Sequence, residues 1–325
     1  MKNNSIKEIK DVIISANSVL IFPHVTMDGD ALGSSVALCR VLREMGKEAH
    51  ILIEDDVPAY LKFMEYGLCT LDQDIIKEPD LCVAVDCATT ERFVKRSDKF
   101  FSGKTKVCID HHKTAEYFAD FNLIDADAAA TAELIYKIIK EMNVQIDKIT
   151  GEAIYTGIVS DTGSFQYTNT SVQSHMITVE LFEIGIDHGY VGRMIYQNNR
   201  IEKFSIAGKV FATLKPIADG KAAIAYVTQD MLKEAGALME DTEGTSELLR
   251  NIAGIEVGIF AKEVSKNETK FSMRSEAWAD VAEITLQFGG GGHTKAAGCT
   301  IKKPIFEALA MVEEAVIKYF ERNKR

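Results

Sequence analysis

Three apolar, β-rich runs in the first third of the chain break off abruptly into acids and histidines. They are SVLIFPH (18–24), LCVAVDC (81–87) and KVCIDHH (106–112). Unbroken apolar runs of this kind mark strands buried on both faces, as in parallel sheets covered by helices. Helical patterns alternate with them. ALGSSVALCRVLREMG (31–46) carries Leu32, Val36, Cys39, Leu42 and Met45 at helical spacing, with Gly46 placed to end it. EAHILIE (48–54) reads as a further strand, TAELIYKIIKEM (131–142) and GEAIYTGIVSDTG (151–163) as helices. This alternation predicts an α/β fold with a doubly wound, mainly parallel sheet. After about residue 190 the rhythm changes. AAIAYVTQ (222–229), GIEVGIFAKEV (254–264) and TKFSMRSE (269–276) read as strands, DVAEITLQFG (280–289) and the C-terminal segment from Pro304 as helices. The expected division is a domain over 1–190, a helical linker over 191–212 and a smaller α+β domain over 213–325.

Four segments end in side chains able to hold a metal: His24 with Asp28 and Asp30, then Asp86, then Asp110-His111-His112, then Asp161. In an open α/β sheet, ligands bind beyond the carboxyl ends of the strands, so the first three groups should converge on one edge. Asp161 would have to reach that edge from a helix end or the loop after it. Taken singly, each has a plainer explanation: a strand-end Asp is a common turn former or helix N-cap. Together, five acids and three histidines would repel or have to protonate without a cation. A divalent metal pair resolves the conflict. Carboxylates with a few imidazoles and no clustered cysteine favour Mn²⁺, with Mg²⁺ or Co²⁺ as alternatives, over structural zinc. Two such ions are the usual device for cleaving phosphoesters.

A second cluster is QFGGGGHTKAAG (287–298). Four successive glycines are expected to form neither helix nor strand, and either serve as a hinge or bring backbone N–H groups close to an anion. His293 and Lys295 follow, and Arg274 ends a strand upstream, where it could fork a phosphate. Lys113 reads as solvated surface and Trp278 as packing. Charge limits the partner. The net charge is −11; residues 205–325 hold 16 Lys and Arg against 17 acids, and the preceding 204 hold 21 against 31. A broad basic track for long nucleic acid is absent. The six scattered cysteines form no CxxC pair, and no run approaches a membrane span. The N-terminal segment reads as a helix rather than a signal peptide. A cytoplasmic protein is expected.

These residues resemble the DHH phosphoesterase superfamily, in its DHH–DHHA1 branch. Asp110-His111-His112 stands as the DHH signature, HVTMDGDALGS is similar to the first motif, VAVDCA to the second and GIVSDTGSFQ to the fourth. FSMRS and FGGGGHTKAAG resemble the substrate-binding elements of the DHHA1 domain. Length and the lack of extra domains are most similar to the NrnA-type oligoribonuclease and pAp phosphatase branch. Family II pyrophosphatases, RecJ-type exonucleases and GdpP-type cyclic-di-AMP phosphodiesterases share parts of this set but differ in second domain, length or added segments.

The resemblance implies one metal held by His24, Asp28 and Asp86 and another by Asp30, Asp86, His111 and Asp161, with Asp86 bridging. Asp110 would orient the histidines and His112 would face the scissile phosphate. Asp86, Asp110, His111 and His112 are thus the expected catalytic set. Arg274, Ser275, Gly291, Gly292 and His293, with His112, would bind substrate across a cleft between the domains. The implied reaction is attack of a metal-activated water on phosphorus in short oligoribonucleotides and linear dinucleotides such as pApA and pGpG, releasing 5′-mononucleotides, with pAp as a further substrate. A dedicated pApA phosphodiesterase and a non-catalytic nucleotide-binding regulator are the other readings. The partners expected are these short substrates and their nucleoside monophosphate products, with no membrane; a homodimer stays open.

Overall fold

Alternate residues of the apolar runs go to opposite faces of one sheet. In β1 (Ser18–Pro23), Val19 and Ile21 join one apolar cluster while Leu20 and Phe22 join another. β4 (Leu81–Val85) and β5 (Thr105–Asp110) divide in the same way. Each fully buried large side chain contributes roughly 1.5–3 kcal/mol. Two-sided burial is why these strands are continuously apolar. β2 is Glu48–Leu52, β3 Cys69–Thr70 and β6 Phe121–Ile124. All pairings are parallel, in the order β3-β2-β1-β4-β5-β6.

Packed on the first face are α1 (Ile6–Ser15), α2 (Gly29–Glu44), α4 (Thr131–Glu141), α5 (Lys148–Asp161) and α6 (Val172–Ile184). On the second face lie α3 (Ser97–Ser102) and the 3₁₀ turn before it, built around Phe93 and Phe100. α7 spans His188–Tyr196. The sheet is therefore doubly wound, and its strand order reverses between β1 and β4. That reversal opens a crevice at the carboxyl ends of those two strands.

This computed structural model describes residues 3–323. It divides into two compact units, Met1–Asn198 and Asn199–Arg325, a break that falls within the segment expected as a linker. The second unit begins with α8 (Ile201–Phe211). Its sheet runs β11-β12-β10-β9-β8-β7, from β7 (Lys215–Ile217), β8 (Ala222–Val227), β9 (Val257–Ser265), β10 (Glu268–Ser275), β11 (Gly291–His293) and β12 (Ala296–Ile301). Four of its five pairings are antiparallel. One face packs on α11 (Val281–Leu286) and α12 (Ile305–Arg322), where Trp278 lies against Tyr319 and Phe320. The other face packs on α8, α9 (Gln229–Ala235) and α10 (Thr245–Arg250). Among the described residues, no helix is long and apolar enough to cross a membrane.

Candidate metal centre

β1, β4 and β5 are neighbours, so the residues that follow them meet at one edge. His24 closes β1 and Asp28 caps α2, its Oδ1 accepting the N–H groups of Asp30 and Ala31 at 3.0 Å each. Capping and metal-site placement thus coincide in one residue: the other oxygen, Oδ2, faces His24 Nε2 at 3.6 Å. Asp86, 2% exposed, follows β4 in the left-handed region at φ +60°. Few non-glycine residues adopt that conformation, and strain of this kind gathers at functional sites. The turn aims its two oxygens apart. Oδ2 lies 3.5 Å from His24 Nε2 and Oδ1 lies 3.6 Å from His111 Nε2.

Asp161 arrives from the other side of the crevice as the last residue of α5. Its Oδ2 is 3.1 Å from His111 Nε2, and Asp30 Oδ2 is 3.9 Å from the same nitrogen. α5 comes this close because glycines lie where it meets α2 and α4. A Cβ on Gly33 would fall 2.4 Å from the Ala153 carbonyl oxygen, and one on Gly157 would fall 2.6 Å from Ala132 Cβ and 2.8 Å from Asp30 Oδ1.

Backbone carbonyls set both ring orientations. His24 Nδ1 bonds the Val25 carbonyl at 2.7 Å and His111 Nδ1 bonds that of Ala128 at 3.2 Å. A carbonyl only accepts, so each Nδ1 carries the proton and Nε2 is turned to the acids. Three groups of potential ligand atoms result, each lying within 4.8 Å: His24, Asp28 and Asp86; Asp30, His111 and Asp161; and Asp86, His111 and His112. Asp110 stands apart from them. Its Oδ1 accepts both the backbone N–H and the Nδ1–H of His112, at 2.7 Å each. It therefore orients His112 alone, where the sequence suggested both histidines.

The electrostatics fit a cation. Among the described residues, the only ion-pair partners of Asp28, Asp30, Asp86 and Asp161 are imidazoles. Burial opposes charge on His24, yet Asp28 and Asp86 push it up to about 10. Burial likewise opposes charge on His111, which Asp161, Asp30 and Asp86 also push up to about 10. Burial and the charges of Asp86 and Asp161 drive Asp30 well above the ordinary carboxylate range, and burial raises Asp161. Against the pull of burial, His24 and the α2 amides hold Asp28 at about 2. Protons on imidazoles offset only part of this negative charge. Hard oxygen donors with two Nε2 atoms suit a divalent ion. Cys87 does not join them, because its thiol donates to the Phe22 and Val85 carbonyls and burial pushes it far up.

Sequence reasoning missed Thr131. Its N–H donates to Asp30 Oδ2 at 2.6 Å, its hydroxyl donates to Asp86 Oδ1 at 2.8 Å, and Ala132 N–H donates to Asp30 Oδ1 at 2.9 Å. The signal was a helix start without a cap: Ala130 makes no side-chain cap, and Asp30 supplies it from another helix.

In the second unit, register brings Arg274 and His293 onto one face. His293 pairs with Ala296, Ala296 with Arg274 and Arg274 with Gly258, so the four form one row. Ala296 alone lies between the two polar side chains in that row, and Gly258 lies beyond Arg274. Arg274 Nε donates to Glu247 Oε1 at 2.8 Å, beside a cavity of about 290 Å³ that also exposes Lys262 and Ser272. Two expectations change here. Gly291 and Gly292 do form a strand, paired with β12, and a Cβ at 290 or 292 would fall 2.3 or 2.5 Å from a carbonyl oxygen of that strand. Close backbone approach, rather than hinge freedom, explains Gly290 and Gly292. Ser275 alternates to the opposite face, where it is 2% exposed and its hydroxyl donates to Glu256 at 3.1 Å. It does not join Arg274. Lys295 bonds the Glu276 carbonyl.

Known proteins align with this arrangement along nearly the whole chain. The DHH family, N-terminal domain, matches residues 18–158, and the DHHA1 domain matches residues 219–321. The bifunctional oligoribonuclease and PAP phosphatase NrnA of Thermus thermophilus is 31% identical over 310 residues, 92% of this chain and 89% of that one. The protein of the same name from Bacillus subtilis is 26% identical, covering 88% of this chain and 90% of its own. An exopolyphosphatase-related protein from Bacteroides fragilis superposes with a TM-score of 0.91 at 27% identity, over 98% of this chain and 97% of that one. The chain belongs to the DHH family, with its N-terminal domain followed by a DHHA1 domain.

Proposed function

We propose that this protein is a phosphoesterase that hydrolyses short oligoribonucleotides and linear dinucleotides such as pApA to 5′-mononucleotides, and removes the 3′-phosphate of pAp. The observation that carries the reading is Asp86, whose two oxygens face two different imidazole–carboxylate groups. His24, Asp28 and Asp86 would hold one divalent ion, and Asp30, Asp86, His111 and Asp161 the other; Mn²⁺ suits these donors, ahead of Mg²⁺ or Co²⁺. When bound, such ions supply Lewis acidity toward phosphate and activate water near neutral pH. The protein's own side chains do the rest. Asp110 raises His112, so that its half-exposed ring offers a charged N–H to a phosphate oxygen. In the second unit, Arg274, Gly291, Gly292 and His293 would contact substrate. The near-neutral charge balance of residues 205–325 suits short ligands. Six free cysteines suit a reducing cytoplasm.

The test is a set of initial rates on pApA, pGpG, pAp and a 2–5-mer and 24-mer RNA, after chelation and with each metal restored. Metal-dependent turnover that falls steeply for the 24-mer is expected. Lack of turnover on every short substrate with all three metals rejects the reading.

A further inference from the structure

The backbone just after Asp161 takes an unusual course. Gly163, Ser164 and Phe165 are all left-handed, at φ +54°, +57° and +65°. Two of these three are not glycine, so the turn holds strain at the rim of the acid cluster. Its effect is to fold Tyr167 back over Gly163. A Cβ on Gly163 would fall 2.4 Å from Tyr167 Cζ, so the ring lies against a position that only glycine leaves open.

The backbone that carries the ring is anchored on both sides. Tyr167 N–H donates to the Thr162 carbonyl at 3.0 Å, and Thr170 N–H donates to the Tyr167 carbonyl at 3.1 Å. The Asn169 amide nitrogen donates to the carbonyls of both Asp161 and Ala129, each at 3.0 Å. Those contacts tie the segment to the end of α5 and to the loop that orients His111. The segment that carries Tyr167 is thereby fixed at the Asp161 end of α5, with the ring against Gly163, yet the residue stays 54% exposed. Packing of the core does not account for that position.

We propose that Tyr167 is the stacking surface for a nucleobase next to the phosphate being cleaved, and so a specificity-determining residue. The inference rests on the phosphoesterase reading and adds a base-contacting residue to it. An aromatic face suits every base, which fits substrates that differ in sequence while sharing a phosphodiester. Stacking is worth about 1–3 kcal/mol per base, or roughly 5- to 150-fold in binding.

The experiment compares KM and kcat for pApA and for its analogue with one abasic ribose, in wild type, Tyr167→Ala and Tyr167→Phe, each with Mn²⁺. Wild type should show a KM about 10-fold lower for pApA than for the abasic analogue. In Tyr167→Ala the two KM values should converge, with the change in KM rather than kcat. Tyr167→Phe should keep the wild-type difference, since the ring and not the hydroxyl carries it. The same difference in wild type and Tyr167→Ala overturns the proposal, as does its loss in Tyr167→Phe. An unchanged Mn²⁺-induced rise in Tm checks that Tyr167→Ala keeps the metal centre. Failure of wild type to cleave either substrate overturns the phosphoesterase reading and this inference with it.

Discussion

The acid cluster of the first unit and the Arg274–His293 face of the second are built on opposite plans. In the first, Asp30, Asp86 and His24 are buried, Asp86 is strained, and second groups hold the side chains: carbonyls fix His24 and His111, Thr131 holds Asp30 and Asp86, and Asp110 holds His112. In the second, His293 is exposed and Arg274 half-buried, with a single alanine, Ala296, between them in the register row. Rigid placement suits groups that must meet a metal within tenths of an ångström. An open face suits groups that adapt to a ligand. The comparison predicts unequal losses when each region is damaged.

The largest should come from Asp86→Ala, which removes both oxygens facing the two imidazoles. Turnover should fall by at least about 1,000-fold on every substrate, since metal-site charge stabilisation is worth several kcal/mol. Near wild-type rates with saturating Mn²⁺ would end the two-metal account. Arg274→Ala should do less, and selectively: KM should rise about 10-fold for di- to pentanucleotides, with a smaller rise for bis(p-nitrophenyl) phosphate. Equal effects on both classes would assign Arg274 to structure instead.

The smallest effect concerns Glu256, which is buried and accepts from the Ser275 hydroxyl and the N–H groups of Ala277, Trp278 and Ala279. Burial alone would raise it, but those amide donors hold it below its ordinary value. A carboxyl with a depressed folded pKa stabilises the fold above its unfolded value, and loses that contribution as pH falls through the folded one. Glu256→Gln should therefore lower Tm by about 3–6 °C at pH 7, with the gap closing toward pH 3. An equal shift at both pH values would exclude the carboxylate's charge as the cause.

The two regions also differed in how much their sequences disclosed. Strand ends carrying Asp86 and Asp110-His111-His112 were legible, because apolar runs fix the sheet and the sheet fixes where their ends go. Thr131 was not legible, since its role depends on α4 starting beside Asp30, a contact across 101 positions. QFGGGGH was found, but its glycines were expected to form no strand and two of them do. The pairing with β12 showed what Gly290 and Gly292 are for, a backbone approach that leaves no room for a Cβ. Ser275 was misplaced for a related reason: adjacent residues on a strand face opposite ways, and motif proximity hides that alternation.

The contacts at Gly33 and Gly157 have a consequence for telling working sites from silent ones. The spacing between Asp30 and Asp161 is set by methyl groups that these positions lack. A chain could keep every acid and histidine of the cluster, carry alanine at those two helix crossings, and fold with the acids spread apart. Counting ligands would score it as intact. The dimension of the centre is written in atoms left out, some distance in sequence from the residues that do the chemistry.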